Sequence, residues 1–341
     1  MAQFDTHAIR QGDRLALSRA LTAVENDQPE SRAILAELFP FTGHAHLIGV
    51  TGATGTGKSS LVNQLAKTFR SSNNFNPSPK IAIVAVDPSS PFTGGALLGD
   101  RIRMQDLAGD KSIFIRSMAS RGALGGLAHK TAAFTTILDG AGYDIIIVET
   151  VGAGQAEIDI TRLAHTVIVV EAPGLGDGIQ AIKAGILEIA DILVVNKADR
   201  PDAENTARAL KMMLEMTFGN GMLPVAGKHR LRSNSHETQK KTIQKPGWKP
   251  PVQLTIATEG TGIQELVTHI FDHKTYLTNS GLWYEKEAHR LRQDLHSLIR
   301  DTLVRRWRED LNQEKFDSIM EEVLNRKLTP QEAVDVLINH S

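Results

Sequence analysis

The chain has 341 residues, which is enough for one large α/β domain with accessory helices. Its 38 Lys and Arg residues nearly balance its 39 Asp and Glu residues, so the net charge does not favour nucleic acid or an anionic membrane as a partner. The absence of cysteine excludes disulfides, thiolate metal sites and a cysteine nucleophile. No apolar run approaches the ~18 residues of a membrane helix and no secretion signal is present, so we expect a soluble, cytoplasmic protein with neither a membrane nor a nucleic-acid partner.

The first part of the chain is predicted to be helical. Between about His7 and Leu38, apolar residues recur at three-to-four spacing, which indicates two helices that pack against the core. Ser31 is expected to cap the second helix, and Pro40 and Gly43 end the pattern. We therefore interpret residues 1–42 as an N-terminal helical extension.

A phosphate-binding loop follows. The segment from Gly52 to Ser59 reads GATGTGKS and fits G-x-x-x-x-G-K-[ST], between the apolar run His46–Thr51 and a helical pattern over 60–66. Converging backbone N–H groups, a helix N-terminus and Lys58 would bind phosphate, while the Ser59 hydroxyl would bind Mg²⁺. The residues predicted to contact the nucleotide here are Gly52, Gly55, Thr56, Gly57, Lys58, Ser59 and Ser60.

Six further apolar runs predict the remaining strands. Most are continuous rather than alternating, and helical patterns separate them, which is typical of a mainly parallel, doubly wound α/β sheet covered on both faces. Functional loops should then lie at the carboxyl ends of the strands. The runs span 81–86, 113–115, 144–149, 166–170, 192–195 and 252–254.

The strand ending at 149 is followed by a motif of nucleotide hydrolases. Such enzymes place an acidic residue close to Mg²⁺, here Glu149, and then a glycine that can contact the γ-phosphate, here Gly152. The next residue is Ala153, which cannot orient water as the glutamine of Ras-type GTPases does. We therefore expect slow intrinsic hydrolysis, with Gln155, Lys183 or a partner supplying the missing group.

The segment Asn196-Lys197-Ala198-Asp199 directly follows the strand at 192–195 and fits N-K-x-D. Asp199 can accept two hydrogen bonds from guanine that adenine cannot offer, while the stem of Lys197 packs on the base. Asn and Asp also cap turns at strand ends, but the position after a P-loop favours guanine recognition. The predicted ligands are therefore GTP and GDP.

The last third of the chain changes character twice. Residues from about 227 to 247 are polar and are interpreted as an exposed insertion, whose histidines are more often solvated than metal-bound. Helices are predicted from about Gly262 to near Thr278, and then over Tyr284–Arg308, Phe316–Arg326 and Pro330–Asn339. Thr329 is expected to cap the last of these.

These motifs resemble the methylmalonyl-CoA mutase-associated GTPases of the MeaB and ArgK type. The resemblance covers about residues 8 to 280 in one order. It is carried, besides the P-loop, by VDPSSPFTGG (86–95), LGDRIRM (98–104), IRSMASRG (115–122), VETVGAGQ (148–155) and GIQAIKAGI (178–186).

The resemblance implies a P-loop GTPase of the signal-recognition-particle-related class, with the GTPase domain over 43–280. It also implies a partner, an adenosylcobalamin-dependent acyl-CoA mutase whose cobalamin loading or reactivation the protein gates, and a homodimer joined by a helical arm over 281–341. Mg²⁺ would be held by Ser59, Asp87, Asp100 and Glu149, and guanine would also be near Thr255 and Ala257. The implied catalytic residues are Lys58, Asp87, Gln155 and Lys183, with Gln180, Arg116 or Arg121 as other donors.

Two other functions are compatible with the fold. A metallochaperone GTPase of the nickel-insertion type would need a His- or Cys-rich metal store, whereas the 12 histidines are scattered and cysteine is absent. A kinase or transport ATPase is disfavoured by the guanine motif at 196–199.

Overall fold

The computed structural model describes residues 5–72, 77–87, 104–107, 109–119, 126–150, 156–174, 189–218 and 247–338. The chain divides into two compact units, residues 1–290 and residues 291–341. The domain limits expected from the sequence, 1–42, 43–280 and 281–341, stay predictions. None of the helices in the described ranges has the length and apolar character needed to cross a bilayer.

The first unit is built on a parallel sheet of seven strands, in the order β3-β2-β4-β1-β5-β6-β7. Each predicted strand is present, and the doubly wound α/β fold class is confirmed. The strands are β1 (His46–Thr51), β2 (Ile81–Asp87), β3 (Ile113–Ala119), β4 (Ile145–Thr150), β5 (Thr166–Glu171), β6 (Ile192–Asn196) and β7 (Val252–Thr255).

Helices cover both faces of this sheet. Leu47, Val84 and Ile146 belong to the buried cluster on one face, and their neighbours Ile48 and Ile147 belong to the cluster on the other. Burial on both faces is the reason that the strands read as continuous apolar runs. The helices are α1 (Thr6–Arg10), α2 (Arg14–Glu25), α3 (Ser31–Leu38), α4 (Lys58–Ser71), α5 (Gly126–Gly140), α6 (Ala156–Leu163), α7 (Ala203–Phe218), α8 (Ile263–Ser280), α9 (Leu282–Asp310), α10 (Gln313–Leu324) and α11 (Pro330–Ile338).

The described part of the N-terminal extension contains three α-helices, so the prediction of two was wrong. Gly12 has a φ of +92°, and the Asp13 carboxylate accepts hydrogen bonds from the backbone of Leu15 and Ala16, which ends α1 and caps α2. The predicted cap Ser31 is instead the first residue of α3, and the N-cap position is Glu30. Helix α2 packs its apolar side against α5 through a shared buried cluster.

The second unit contains the end of α9 with α10 and α11. These helices enclose a small apolar cluster around Ile319, Ala333 and Leu337, with Trp307 packed against it. Thr329 caps α11 as predicted, because its hydroxyl accepts from the backbone of Glu332 at 3.3 Å while the Glu332 carboxylate accepts from Thr329.

Candidate active site

The predicted phosphate-binding loop leaves the carboxyl end of the central strand β1. The strand order places β4 and β5 on either side of β1 and β6 beyond β5, so the residues that follow these strands converge on one edge. The loop runs from Gly52 to Gly57, and Gly57, with φ +90° and ψ +28°, is the residue before the first turn of α4. The predicted contacts from Gly52 to Ser60 therefore form one continuous loop and helix N-terminus.

Two glycines of this loop have no room for a side chain. A Cβ atom on Gly52, whose φ is +140°, would lie 2.1 Å from the carbonyl oxygen of Val170 in β5. A Cβ atom on Gly57 would lie 2.5 Å from Nδ2 of Asn196. Gly55 also has a positive φ, +84°, but open space surrounds its Cβ position. The loop is thus tightly packed where it meets β5 and β6 and open at Gly55.

Lys58 is buried in the loop. Its ammonium donates hydrogen bonds to the carbonyl oxygens of Gly52 at 2.8 Å and Ala53 at 2.9 Å. The loop therefore surrounds a positive charge, which is the arrangement that binds phosphate oxygens.

Ser59 and Glu149 present oxygen atoms of the kind that a magnesium ion binds. The Ser59 hydroxyl donates to Oε1 of Glu149 at 2.7 Å, and both side chains are buried. Mg²⁺ favours hard oxygen ligands, so a hydroxyl and a carboxylate next to the phosphate-binding loop fit this ion. Asp87 is the last residue of β2, but its side chain and the whole of Asp100 lie outside the described part of the chain. Within that part, no group of three or more His, Cys, Asp or Glu side chains is arranged to hold a metal.

Asn196 connects the guanine motif to the phosphate-binding loop. Its Nδ2 donates to the carbonyl oxygen of Thr56 at 2.8 Å, while its Oδ1 accepts from the Thr255 hydroxyl and the Ala257 backbone, each at 3.1 Å. One buried amide therefore joins the P-loop, the end of β6 and the segment after β7. Thr255 and Ala257 both bond to Asn196, and their predicted place near guanine stays a prediction.

Lys197 and Asp199 lie on the open side of the site. The Lys197 ammonium donates to the carbonyl oxygen of Gly55 at 2.6 Å, and its backbone is held at φ +58°, a conformation that few residues other than glycine adopt. The Asp199 side chain is exposed. The lysine stem and the aspartate are thus accessible to a ligand held by the loop.

Three of the other predicted site residues, Gly152, Gln155 and Lys183, lie outside the described residues, as do Gln180 and Arg121. Arg116 is described, and its role as a fallback donor stays a prediction. Its guanidinium donates to the Glu25 carboxylate at 2.8 Å and to the Thr22 hydroxyl at 3.1 Å, so it fastens helix α2 to β3.

Two groups of contacts near the site were not predicted. The hydroxyls of Thr51 and Thr150 are 2.9 Å apart at the ends of β1 and β4. On α4, Asn63 donates to Asp106 at 2.8 Å and Lys67 forms an ion pair with it, and these hydrogen bonds lower the pKa of the Asp106 carboxyl. Threonine and asparagine are common residues, and their partners are distant in sequence, so no local pattern could have revealed either group.

Comparisons with known proteins agree with this geometry. A family model described as methylmalonyl-CoA mutase-associated GTPase MeaB matches residues 17–312. A Pyrococcus horikoshii protein named as a GTPase is 42% identical, and the alignment covers 97% of this chain and 95% of that protein. The GTPase ArgK of Escherichia coli is 37% identical over 80% of this chain and 76% of its own. A crystal structure titled LAO/AO transport system kinase has a TM-score of 0.65 at 28% identity and covers 98% of this chain and 95% of that one.

Proposed function

The chain belongs to the methylmalonyl-CoA mutase-associated GTPases, and we propose that its GTP hydrolysis gates cobalamin loading or reactivation of an adenosylcobalamin-dependent acyl-CoA mutase. The observation that supports this most strongly is the family match over residues 17–312 together with an intact P-loop and N-K-x-D motif. The same match favours a mutase over a nickel-type metalloprotein as the client.

We assign the nucleotide contacts by their chemistry. The loop from Gly52 to Gly57 and the Lys58 ammonium bind the phosphates, and Asp199 accepts the hydrogen bonds of guanine. Asn196, three residues before Asp199, holds the loop against the segment after β7, because its amide bonds to Thr56 and to Ala257.

Magnesium is assigned to Ser59 and Glu149, with Asp87 and Asp100 completing the set directly or through water. When bound, Mg²⁺ neutralises charge on the phosphate oxygens. Ser59 and Glu149 are already hydrogen-bonded to one another, so their oxygens are held within reach of a common ligand.

Hydrolysis is proposed to be slow until the mutase docks. Ala153 lacks a group that could orient water, and Gln155, Gln180 or Lys183 would supply the missing contact in the complex. Completion of a GTPase site by an arginine finger is worth about 10³–10⁵ in rate, so a partial version should exceed about tenfold.

The test measures GTP turnover with and without a purified adenosylcobalamin-dependent acyl-CoA mutase. We expect at least about tenfold stimulation in the parent and a loss of stimulation in Lys183→Ala or Gln180→Ala. The matched control is Lys211→Ala, an exposed lysine on α7 outside the proposed site. Stimulation that survives in both test variants would remove these residues from the mechanism. Lack of stimulation by every acyl-CoA mutase tried would overturn the client assignment.

A further inference from the structure

The hydroxyl pair at the ends of β1 and β4 is completely enclosed. Thr51 is 1% exposed and Thr150 is 2% exposed, and Thr150 Oγ1 donates to Thr51 Oγ1 at 2.9 Å. The parallel register pairs Val50 with Glu149, so the next residue along each strand is the threonine. The contact therefore lies at the carboxyl ends of both strands. Strand β1 is followed there by the phosphate-binding loop, and β4 by the segment that begins at 151.

The neighbouring residue on β4 also contacts the phosphate-binding region. Glu149 and Thr150 are consecutive in a strand, so their side chains point to opposite faces of the sheet. The Glu149 carboxylate accepts from Ser59 at the start of α4, whereas Thr150 bonds to Thr51 just before the loop. The last two residues of β4 thus hold both ends of the loop.

The start of the loop has no room to move towards β5 to accommodate a change at β4. A Cβ atom on Gly52 would lie only 2.1 Å from the Val170 carbonyl oxygen, which shows how closely the start of the loop packs on β5. Any shift of β4 relative to β1 would consequently change the position of Glu149 relative to Ser59.

We propose that the Thr51–Thr150 hydroxyl pair is a positioning contact for GTP hydrolysis, which fixes the end of β4 and the Glu149 carboxylate relative to the phosphate-binding loop. This role depends on the GTPase activity and is independent of which protein is the client. The positioning role requires the hydrogen bond between the two hydroxyls, and not only the packing of the two side chains.

The first experiment replaces Thr150 by valine, which keeps the shape and removes the hydroxyl. A misplacement of about 1 Å can reduce a catalysed rate by ~10²-fold, so we expect kcat for GTP to fall by about 5- to 50-fold. Since the loop and Asp199 are unchanged, the dissociation constant for GDP should stay within about threefold of the parent value. Thr150→Ser retains the hydroxyl and should recover most of kcat.

A double variant separates positioning from stability. Replacing both partners of a buried hydrogen bond by apolar isosteres is often nearly neutral for stability, whereas replacing one leaves a buried polar group unsatisfied. The melting temperature of Thr51→Val/Thr150→Val should therefore return toward the parent value, while kcat stays low. A purely structural contact would make kcat recover together with the melting temperature.

The matched control removes a buried hydroxyl elsewhere. Thr135 on α5 is 1% exposed and donates to the Ala132 carbonyl oxygen at 2.8 Å, so Thr135→Val should lower the melting temperature and leave kcat unchanged. A folded Thr150→Val or Thr51→Val protein with kcat within about twofold of the parent would overturn the proposal. Recovery of kcat in the double variant would do the same, and this variant remains informative if a single one fails to fold.

Discussion

Asp199 is the residue on which the guanine specificity of this site is proposed to depend. Its side chain is exposed beside Lys197, whose ammonium is fixed on the Gly55 carbonyl oxygen. A carboxylate in this place can accept both hydrogen bonds of the guanine edge, and a site built for such a pair discriminates strongly against ligands that lack it.

Asp199→Asn should weaken GTP binding and favour xanthosine triphosphate, because the amide can donate to the C2 oxygen of xanthine. Fluorescent-nucleotide competition with GTP, ATP and xanthosine triphosphate measures the three affinities. We expect the affinity for GTP to fall by at least about tenfold. Glu204→Gln, an exposed change on α7, is the control. Unaltered GTP affinity in Asp199→Asn would show that another group reads the base.

Gly55 and Gly57 allow a comparison of backbone strain with steric conflict. Their φ values, +84° and +90°, are nearly equal, but only a Cβ atom on Gly57 meets Asn196, at 2.5 Å. Alanine at either position pays about 1 kcal/mol for a left-handed conformation. Gly57→Ala should lose in addition the bond from Asn196 to Thr56, so that its free energy of unfolding falls by about 2–4 kcal/mol in total.

Denaturant unfolding of both variants tests this comparison. Gly57→Ala should also bind GDP more weakly than the parent by at least about tenfold, because Asn196 joins the loop to the guanine motif. Equal losses of stability in the two variants would mean that the Asn196 side chain moves aside without lowering the free energy of unfolding.

At the level of elements, the amino-terminal ends of the strands carry a second polar cluster, remote from the nucleotide. His46 Nε2 is 2.8 Å from the Thr166 hydroxyl, which is 2.9 Å from Nδ1 of His273. Asp191 forms an ion pair with Lys286 at the start of α9 and also lies close to Nε2 of His273, with both distances 3.3 Å. This buried cluster joins β1, β5, α8 and the first turns of α9.

A second set of contacts adjoins this cluster. The His165 ring stacks on Trp283 with centroids 3.9 Å apart, and its Nε2 lies 2.6 Å from the Glu287 carboxylate, which Arg290 also contacts. Burial is the main cause that lowers the pKa of His46 well below its usual 6.5, and nearby charges, among them Lys274 and Lys286, lower it further. Burial also lowers the pKa of His165, although the hydrogen bond to Glu287 opposes this.

Stability should therefore fall as the pH falls. A histidine whose folded pKa lies below 6.5 takes up its proton more readily in the unfolded chain, so its contribution is complete above about pH 6.5 and is lost below it. Burial raises the pKa values of Asp191 and Glu287, but cationic neighbours lower each to about 2, so their contributions are lost only in stronger acid.

The measurement is the free energy of unfolding between about pH 8 and pH 5 for the parent and for His46→Gln. We expect the parent to lose stability over this interval and His46→Gln to start lower but vary less. His289→Gln on the exposed side of α9 is the control and should follow the parent. A parent curve that does not change between these values would contradict the lowered pKa values of His46 and His165.

The elements also show what the sequence could and could not provide. Strands β1, β2 and β4 were predicted almost to the residue because burial on both faces makes their sequences uniformly apolar. Strand β3 continues four residues beyond its predicted end at 115. The prediction stopped early because Arg116 interrupts the apolar run, and this side chain pairs with Glu25 instead of packing in an apolar layer. A partner so distant along the chain leaves no local pattern.

The same distinction holds for the site. Glycines, Lys58 and the N-K-x-D residues were identified because their chemistry fixes both residue type and spacing. The roles of Asn196 as a connecting residue and of Thr150 as a partner of Thr51 depend on which strands are neighbours in the sheet, and the order β4-β1-β5-β6 cannot be read from residue patterns alone.

At the scale of the whole molecule, the second unit carries an apolar surface for which we propose a second copy of the chain as the partner. Four side chains on the part of α9 that belongs to this unit are exposed and lie along one stripe at helical spacing. They are Leu295 at 58%, Leu298 at 45%, Ile299 at 48% and Leu303 at 60% exposure. A large apolar side chain gains about 1.5–3 kcal/mol on burial, so such a stripe favours association.

Leu295→Glu/Leu303→Glu should convert a dimer into a monomer. Losing the burial of two leucines costs at least about 3 kcal/mol, which raises the dissociation constant by at least about 10²-fold. The control Gln293→Glu/Arg300→Glu places two carboxylates about 160° and 140° around the same helix from Leu295, and it should leave the dimer intact. Light scattering coupled to size exclusion gives the mass of each variant, and far-ultraviolet circular dichroism confirms that α9 is retained. A parent protein that is monomeric at micromolar concentration would refute the dimer, whereas a dimer that survives in the leucine variant would place the interface elsewhere.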